Sequence, residues 1–318
     1  MSASTQALNQ VETRARLRKQ RNRAARSLFA AFAGFIFIVF FAIVTMLVQR
    51  SLPLWQSTSL ADFITGSVWK PDRGLFGLQP FMLGTFWTTG LGIAFALPLS
   101  LLSAVYLAEY ARPLTRAVIK PVLDILAGIP SVIYGMWGVL VVVPAVQTIF
   151  APFFSRAFPS VGLFQSNNPT GFSILSAGVV LAIMISPILI SLMYEIILAV
   201  PVGLREASLA VGASRWETIK YVVIPKSASG LFAALILGTS RALGETMAVM
   251  MVVGNVATLP GSVFDPAYPI PALIANNYGE MMSIPLYDSA LMSAALFLLV
   301  IVLIFNILSS IVLRRMLK

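Results

Sequence analysis

Six long apolar runs constrain this chain more than any other feature of its sequence. Each run is poor in charge and reaches the length of about 20 residues that a helix needs to cross a bilayer. Because lipid offers no partner to an unpaired peptide group, such runs fold as α-helices. The sequence therefore predicts an all-α, polytopic membrane protein with about six spans: Leu28–Val48, Phe81–Ala108, Ile125–Phe150, Phe172–Leu198, Ala228–Val253 and Ser289–Leu313.

The distribution of basic residues predicts how these spans are oriented. Of the 22 Lys and Arg, 17 lie before the first span, after the last span or in alternate loops, and only four lie in the remaining loops. Since cytoplasmic loops are enriched in Lys and Arg, both termini are expected on the cytoplasmic side. The same bias accounts for the net charge of +10, so we expect no nucleic-acid partner.

We expect a single transmembrane domain, residues 27–318, preceded by a basic cytoplasmic tail, residues 1–26. The chain contains no Cys and no His, which removes thiol nucleophiles, histidine metal ligands and histidine proton relays. An intramembrane enzyme is therefore disfavoured, and we expect no catalytic residue, no metal and no cofactor. The sequence also lacks a Gly-x-x-x-x-Gly-Lys-Ser/Thr phosphate loop, so any ATP would have to be bound by a separate protein.

The loop between the fourth and fifth spans, residues 200–227, contains the signals of two short helices. Gly212 suits the position that follows the end of a helix, and Ser214 with Glu217 forms a capping box at the start of the next one. Pro225 is expected to end that second helix. An ordinary interfacial hairpin of helices would give the same signals without any partner.

The spacing within this loop resembles the EAA loop of bacterial ABC-importer permeases. That family has a Glu-Ala-Ala triplet, then a Gly, and further on a Leu-Pro pair. The matching positions are Glu206, Ala207, Ser208, Gly212, Ile224 and Pro225, with Ser208, Val222 and Ile224 as mild departures. The resemblance implies a type I ABC-importer permease fold and a loop that docks on an ATP-binding subunit. The docking role would fall to Glu206, Ala207, Ser208, Gly212 and Pro225.

Two charged residues, Arg241 and Glu245, lie near the centre of the fifth span. On a continuous helix they would share one face and could pair across a single turn. A charge at the bilayer centre costs on the order of 2.5–3.5 kcal/mol on insertion scales, and it usually faces a protein interior or a water-filled path. One interpretation is a self-neutralising pair that fixes helix packing; the other, which we favour, is a site for a passing anion.

Arginine offers a planar fork of donors that suits tetrahedral oxyanions, and the hydroxyls of Thr239, Ser240 and Thr246 could supplement it. Glu245 could restrain Arg241 when the path is empty. It could equally accept a hydrogen bond from a protonated oxyanion, and both roles stay open at this point.

The string from Arg241 to Val249, followed by Gly254 and Asn255, resembles the PstC-type permeases of high-affinity phosphate importers. Its first five residues are shared with permeases for sulfate and molybdate, which remain alternatives together with a stand-alone secondary transporter or channel. The resemblance implies translocation of inorganic phosphate across the inner membrane. It also implies a second homologous permease subunit, two ATP-binding subunits on the cytoplasmic side, and a periplasmic or lipid-tethered phosphate-binding protein.

Overall fold

A computed structural model describes residues 2–165, 167–280 and 284–316 of the chain. Residues 1, 166, 281–283, 317 and 318, which fall in the predicted tail and transmembrane domain, lie outside these ranges. Within the described ranges, six helical stretches are long and apolar enough to cross a membrane, which confirms the predicted number. They are Arg21–Ser57, Gln79–Tyr110, Ser131–Ala157, Ile174–Leu198, Arg215–Leu243 and Tyr287–Met316.

The helices and the one small hairpin follow each other in a simple order. The first half of the chain contains α1 (Ser2–Ser57), α2 (Leu60–Thr65), β1 (Trp69–Lys70), β2 (Leu75–Phe76), α3 (Gln79–Val105), α4 (Pro113–Gly128), α5 (Ser131–Trp137), α6 (Val143–Ala145) and α7 (Ala151–Ala157). The second half contains α8 (Ile174–Leu198), α9 (Val202–Ala210), α10 (Arg215–Thr218), α11 (Ile224–Leu243), α12 (Met247–Val252), α13 (Ile270–Asn277) and α14 (Tyr287–Met316). Strands β1 and β2 are antiparallel.

Helix α8 forms the centre of the bundle, and α3 packs along it. The two helices approach closely at glycines: a Cβ built on Gly92 would lie 2.7 Å from the Cδ2 atom of Leu181, and one built on Gly178 would lie 2.8 Å from the Cβ atom of Leu91. Helices in lipid associate through such close van der Waals packing, since there is no hydrophobic gain from leaving water. These contacts make α3 and α8 one tightly packed pair.

Helix α1 lies at the outside of the bundle, against α14. Phe29, Phe35 and Phe37 on α1 are each more than 60% exposed in the isolated chain. Apolar side chains on a spanning helix that no other helix covers face lipid.

An aromatic cluster closes the end of the bundle at which α3 begins. The ring of Trp69 lies 5.0 Å from that of Phe81 and 5.3 Å from that of Phe76, and Phe81 lies 5.4 Å from Tyr268. Edge-on and tilted arrangements at these distances are favourable for aromatic pairs. The cluster attaches the small hairpin and the loop before α13 to the start of the second span.

Three prolines inside the spans are accommodated by widened helical turns. π-helical turns at Gly138–Val142, Val146–Phe150 and Ile219–Val223 each come directly before a segment that has a proline at its second residue, namely Pro144, Pro152 and Pro225. Proline lacks the N–H of a helical bond and its ring crowds the carbonyl four residues earlier, which lies in the widened turn. The expectation that Pro225 ends a helix is therefore wrong: the helix continues through it from Arg215 to Leu243.

The predicted bounds of the third and fifth spans also need correction. The third span begins at Ser131 rather than Ile125, because the extended backbone of Ile129 before Pro130 separates it from α4. The fifth span begins at Arg215, inside the predicted loop 200–227, and its helix ends at Leu243 rather than Val253.

The packing of α3 on α8 predicts that substitution destabilises the protein at Gly92 but not at Gly90. In Gly92→Ala the new methyl group would press on the fully buried Leu181, and overpacking of this kind typically costs about 1–3 kcal/mol. Gly90→Ala is the matched control, since a Cβ there meets nothing within 4 Å. Thermal unfolding in detergent should show a lower melting temperature for Gly92→Ala alone; equal melting temperatures would contradict this packing.

Candidate translocation and coupling sites

The fifth span is broken next to its charged residues. Helix α11 ends at Leu243, Gly244 takes the cap position, and α12 begins only at Met247. Two weak turns bridge the break, with the N–H groups of Gly244 and Glu245 donating to the carbonyls of Arg241 and Ala242 at 3.3 Å.

The break lies halfway along the central helix α8. On the α11 side of the break, a Cβ built on Gly238 would lie 2.7 Å from the Cδ2 atom of Leu189 on α8. On the other side of the break, Val252 of α12 and Val180 of α8 both lie against Gly138 in the third span. Irregular backbone at this depth is tolerated only where protein buries it or where it lines a water-filled cavity.

Arg241 and Glu245 are separated by the break rather than paired. A carboxylate oxygen of Glu245 accepts a hydrogen bond from the backbone N–H of Ala248 at 3.1 Å, which caps the start of α12. Among the described residues, no carboxylate lies within 4.0 Å of the Arg241 guanidinium. The alternative of a self-neutralising pair is therefore not supported, because the α-helix that would place the two residues on one face ends at Leu243, before Glu245. Arg241 is exposed on the isolated subunit.

The three predicted hydroxyl residues lie near the break, but each hydroxyl already has a partner. Thr239 donates to the carbonyl of Leu235 at 2.9 Å, and Thr246 donates to the carbonyl of Gly244 at 3.3 Å. Ser240 donates to the side-chain oxygen of Asn306 on α14 at 3.1 Å. Ser240 therefore links α11 to α14. The role of Asn306 was missed by sequence reasoning, although a lone amide within the last apolar run was a visible signal.

The loop of residues 200–227, called the EAA-type loop below, has the two-helix structure that its capping residues predict. Gly212 has a φ of +89°, and its N–H donates to the carbonyl of Leu209 at 3.0 Å. The N–H of Ala213 donates to the carbonyl of Ser208 at 3.3 Å. This is the Schellman arrangement, which favours glycine at its left-handed position.

The second helix of the loop begins with the predicted capping box. The N–H of Glu217 donates to the hydroxyl of Ser214 at 3.3 Å, and the N–H of Ser214 donates to the Glu217 carboxylate at 2.7 Å. The hydroxyls of Ser208 and Thr218 are hydrogen-bonded at 2.9 Å and join α9 to α10. Ser208 is thus an internal link, whereas Glu206 and Ala207 face outward.

Three arginines converge on the end of the second span. Arg205 pairs with the carboxylate of Glu109 at 3.0 Å and also donates to the carbonyl of Ile197 at 2.7 Å and to that of Val200. Arg215 donates to the backbone carbonyl of Glu109. A third arginine, Arg116, donates to the carbonyl of Ala108 at 2.7 Å.

These contacts have a common electrostatic reason. The last carbonyls of a helix have no partner within the helix and carry the negative end of its dipole, so cations are stabilising there. Arg205 contacts the ends of two spans at once: it pairs with Glu109 of the second span and donates to the carbonyl of Ile197 of the fourth. Sequence reasoning missed the pairing of Glu109 with Arg205, because no local rule connects residues 96 positions apart.

Comparison with known proteins supports a common origin with transport proteins. The family described as "Binding-protein-dependent transport system inner membrane component" matches residues 96–318. The phosphate transport system permease protein PstC of Haemophilus influenzae is 37% identical over 292 residues, which cover 90% of this chain and 91% of that protein.

Solved structures show the same fold at lower identity. A bacterial ABC transporter involved in the import of alginate has a chain that aligns over 92% of this one and 96% of its own length, with a TM-score of 0.57 and 17% identity. A chain of the MetNI methionine ABC transporter aligns over 76% and 94%, with a TM-score of 0.51 and 19% identity. The predicted type I ABC-importer permease fold is confirmed. The chain belongs to the inner-membrane components of binding-protein-dependent transport systems and, among them, to the PstC-type permeases.

Proposed function

We propose that this chain is the permease subunit of an ATP-driven importer that moves inorganic phosphate across the inner membrane, with ATP hydrolysed by partner subunits. The observation that carries the proposal is the broken fifth span, which presents, halfway along the bundle, an arginine that has no carboxylate partner among the described residues. The PstC relative is named for phosphate transport, and its identity to this chain supports the same substrate here.

The proposed partners follow from what the isolated subunit leaves uncovered. A charged side chain at mid-membrane is costly against lipid, so the face that carries Arg241 should be covered by protein or water. A second homologous permease subunit would cover it and leave a path between the two. Outward-facing Glu206 and Ala207 would dock on one of two ATP-binding subunits, and a periplasmic or lipid-tethered phosphate-binding protein would deliver the anion at the other end.

In this mechanism the Arg241 guanidinium binds the passing oxyanion through two parallel N–H donors, the geometry that suits phosphate. Glu245 holds the start of α12 through Ala248, so its carboxylate is drawn away from Arg241 and leaves the guanidinium to the anion. The proposed orientation places both termini and the EAA-type loop in the cytoplasm, with residues 1–26 as a basic tail, in line with the bias of Lys and Arg. The EAA-type loop favours this assignment over a stand-alone transporter or channel.

Replacement of Arg241 by glutamine is the direct test of the anion site. Arg241→Gln removes the charge but keeps a long polar side chain, and phosphate uptake should fall by roughly tenfold or more, a factor that corresponds to about 1.4 kcal/mol. Uptake of labelled phosphate by cells is the measurement, with co-purification of the partner subunits as the check on assembly. Arg156→Gln, at an exposed position on α7, is the control and should leave uptake unchanged. Loss of assembly in Arg241→Gln would instead indicate a packing role.

Competition between oxyanions tests the substrate. Uptake of labelled phosphate should be suppressed by excess unlabelled phosphate and unaffected by sulfate or molybdate. Suppression by either of the latter would overturn the assignment to phosphate and leave the importer assignment in place.

The bend of the EAA-type loop offers a test of docking. Gly212→Val places a β-branched residue at a φ of +89°, a strained conformation that typically costs about 1–3 kcal/mol, so the loop should lose its shape. We expect loss of the ATP-binding subunit on purification and loss of uptake. Gly203→Val, in α9 with open space around it, is the matched control. Normal ATPase binding by Gly212→Val would count against docking through this loop.

A further inference from the structure

We propose that Glu109, Arg205 and Arg215 form a joint that fixes the EAA-type loop to the ends of the second and fourth spans and transmits movement of the loop into the bundle. The inference deepens the proposed function, because it assumes that an ATP-binding subunit moves this loop. We call this set of three residues the arginine joint.

The first step of the argument is that apolar packing does not hold α9 in place. None of its nine residues is buried. Among the described residues, its side-chain hydrogen bonds to the rest of the chain are those of Arg205 and the bond between the hydroxyls of Ser208 and Thr218. The second of these reaches Thr218 in the first turn of the fifth span, so Arg205 is the side chain that attaches α9 to the second and fourth spans.

The second step is that this attachment is stiff. The side chains of Arg205 and Glu109 are 16% and 9% exposed. At such burial, separating the pair leaves a charge that water does not compensate, so the pair resists opening. The guanidinium also donates to the carbonyls of Ile197 and Val200, which fixes its plane on both sides.

The third step is that the arginine joint also includes a contact from the second helix of the loop. Arg215, the first residue of α10, donates to the backbone carbonyl of Glu109, and its guanidinium lies 5.0 Å from the centre of the Tyr110 ring. Residues from both loop helices thus meet on Glu109 and Tyr110, the last two residues of the second span.

The fourth step concerns what the joint would move. The ends that it holds belong to the second and fourth spans, whose helices α3 and α8 are packed together at Gly92 and Gly178. Packed helices shift as units rather than deform gradually. A displacement of the loop therefore reaches both helices, and through α8 it reaches the level at which the fifth span breaks.

Removal of one charge tests the joint. Glu109→Gln keeps the shape of the side chain and the backbone carbonyl that Arg215 uses, but it removes the ion pair with Arg205. In the full complex reconstituted in lipid, we expect the phosphate transported per ATP hydrolysed to fall by about tenfold, a factor that corresponds to about 1.4 kcal/mol. The ATPase rate should stay near that of the parent.

The chain offers a matched control at a neighbouring place. Lys120 and Glu195 also form an ion pair, between α4 and α8, but their side chains are 50% and 55% exposed. Exposed pairs contribute little, so Glu195→Gln should leave transport and its ratio to ATP hydrolysis unchanged.

A second measurement reports the joint without reference to the substrate. Because the chain has no cysteine, Val202→Cys on α9 and Leu102→Cys on α3 can be spin-labelled selectively; both native residues are more than 60% exposed. In labelled complex that still transports, the distance between the labels should have a narrow distribution with and without ATP. In Glu109→Gln the distribution should broaden.

The outcomes separate the joint from the proposed function. Uncoupled ATP hydrolysis with a broadened distance supports the joint, whereas a normal transport ratio or an unchanged distance distribution in Glu109→Gln overturns it. If Glu109→Gln does not assemble, the double variant Glu109→Gln/Arg205→Gln carries no unpaired charge, and it should assemble but stay uncoupled. Full coupling in the double variant would overturn the joint. If the parent complex takes up no phosphate, the proposed function fails, and the label distances still decide whether the joint exists.

Discussion

Every part of this structure depends on the need to pair backbone polar groups where no water is available. That need makes the spans helical, and it also shapes their irregular parts. Where Pro144, Pro152 and Pro225 remove an N–H, a widened turn replaces the lost bond. Where the fifth span breaks, two weak turns and the carboxylate of Glu245 provide hydrogen bonds for peptide N–H groups next to the break. The break is thus a stable feature of the fold, and it is available for function.

The charged residues inside the bundle divide into two kinds by their surroundings. At the EAA-type loop, Glu109 is buried and pairs with the mostly covered Arg205, which also donates to two backbone carbonyls, as a rigid attachment requires. At the break, Arg241 is exposed and has no carboxylate within ion-pair distance in the described part of the chain. A cation whose partner is missing suits the transient binding of an anion, because a permanent internal partner would compete with it.

Sequence reasoning succeeded where the relevant physics is local. The six spans follow from residue composition over about 20 positions. The left-handed Gly212 and the capping box of Ser214 and Glu217 follow from rules that act within one turn of helix. The EAA spacing and the string around Arg241 match known motifs, so the sequence also predicts the type I permease fold and the family.

The sequence by itself thus determined the number of spans, the caps of the EAA-type loop and the presence of charge in the fifth span. Only the tertiary structure decided that Arg241 and Glu245 do not pair, that Pro225 lies within a helix, and that Glu109 meets Arg205 across 96 positions. The physical reason is that these outcomes depend on where helices break and which ends meet. Those are set by close packing between segments distant in sequence, as at Gly92 and Leu181, and no local pattern encodes them.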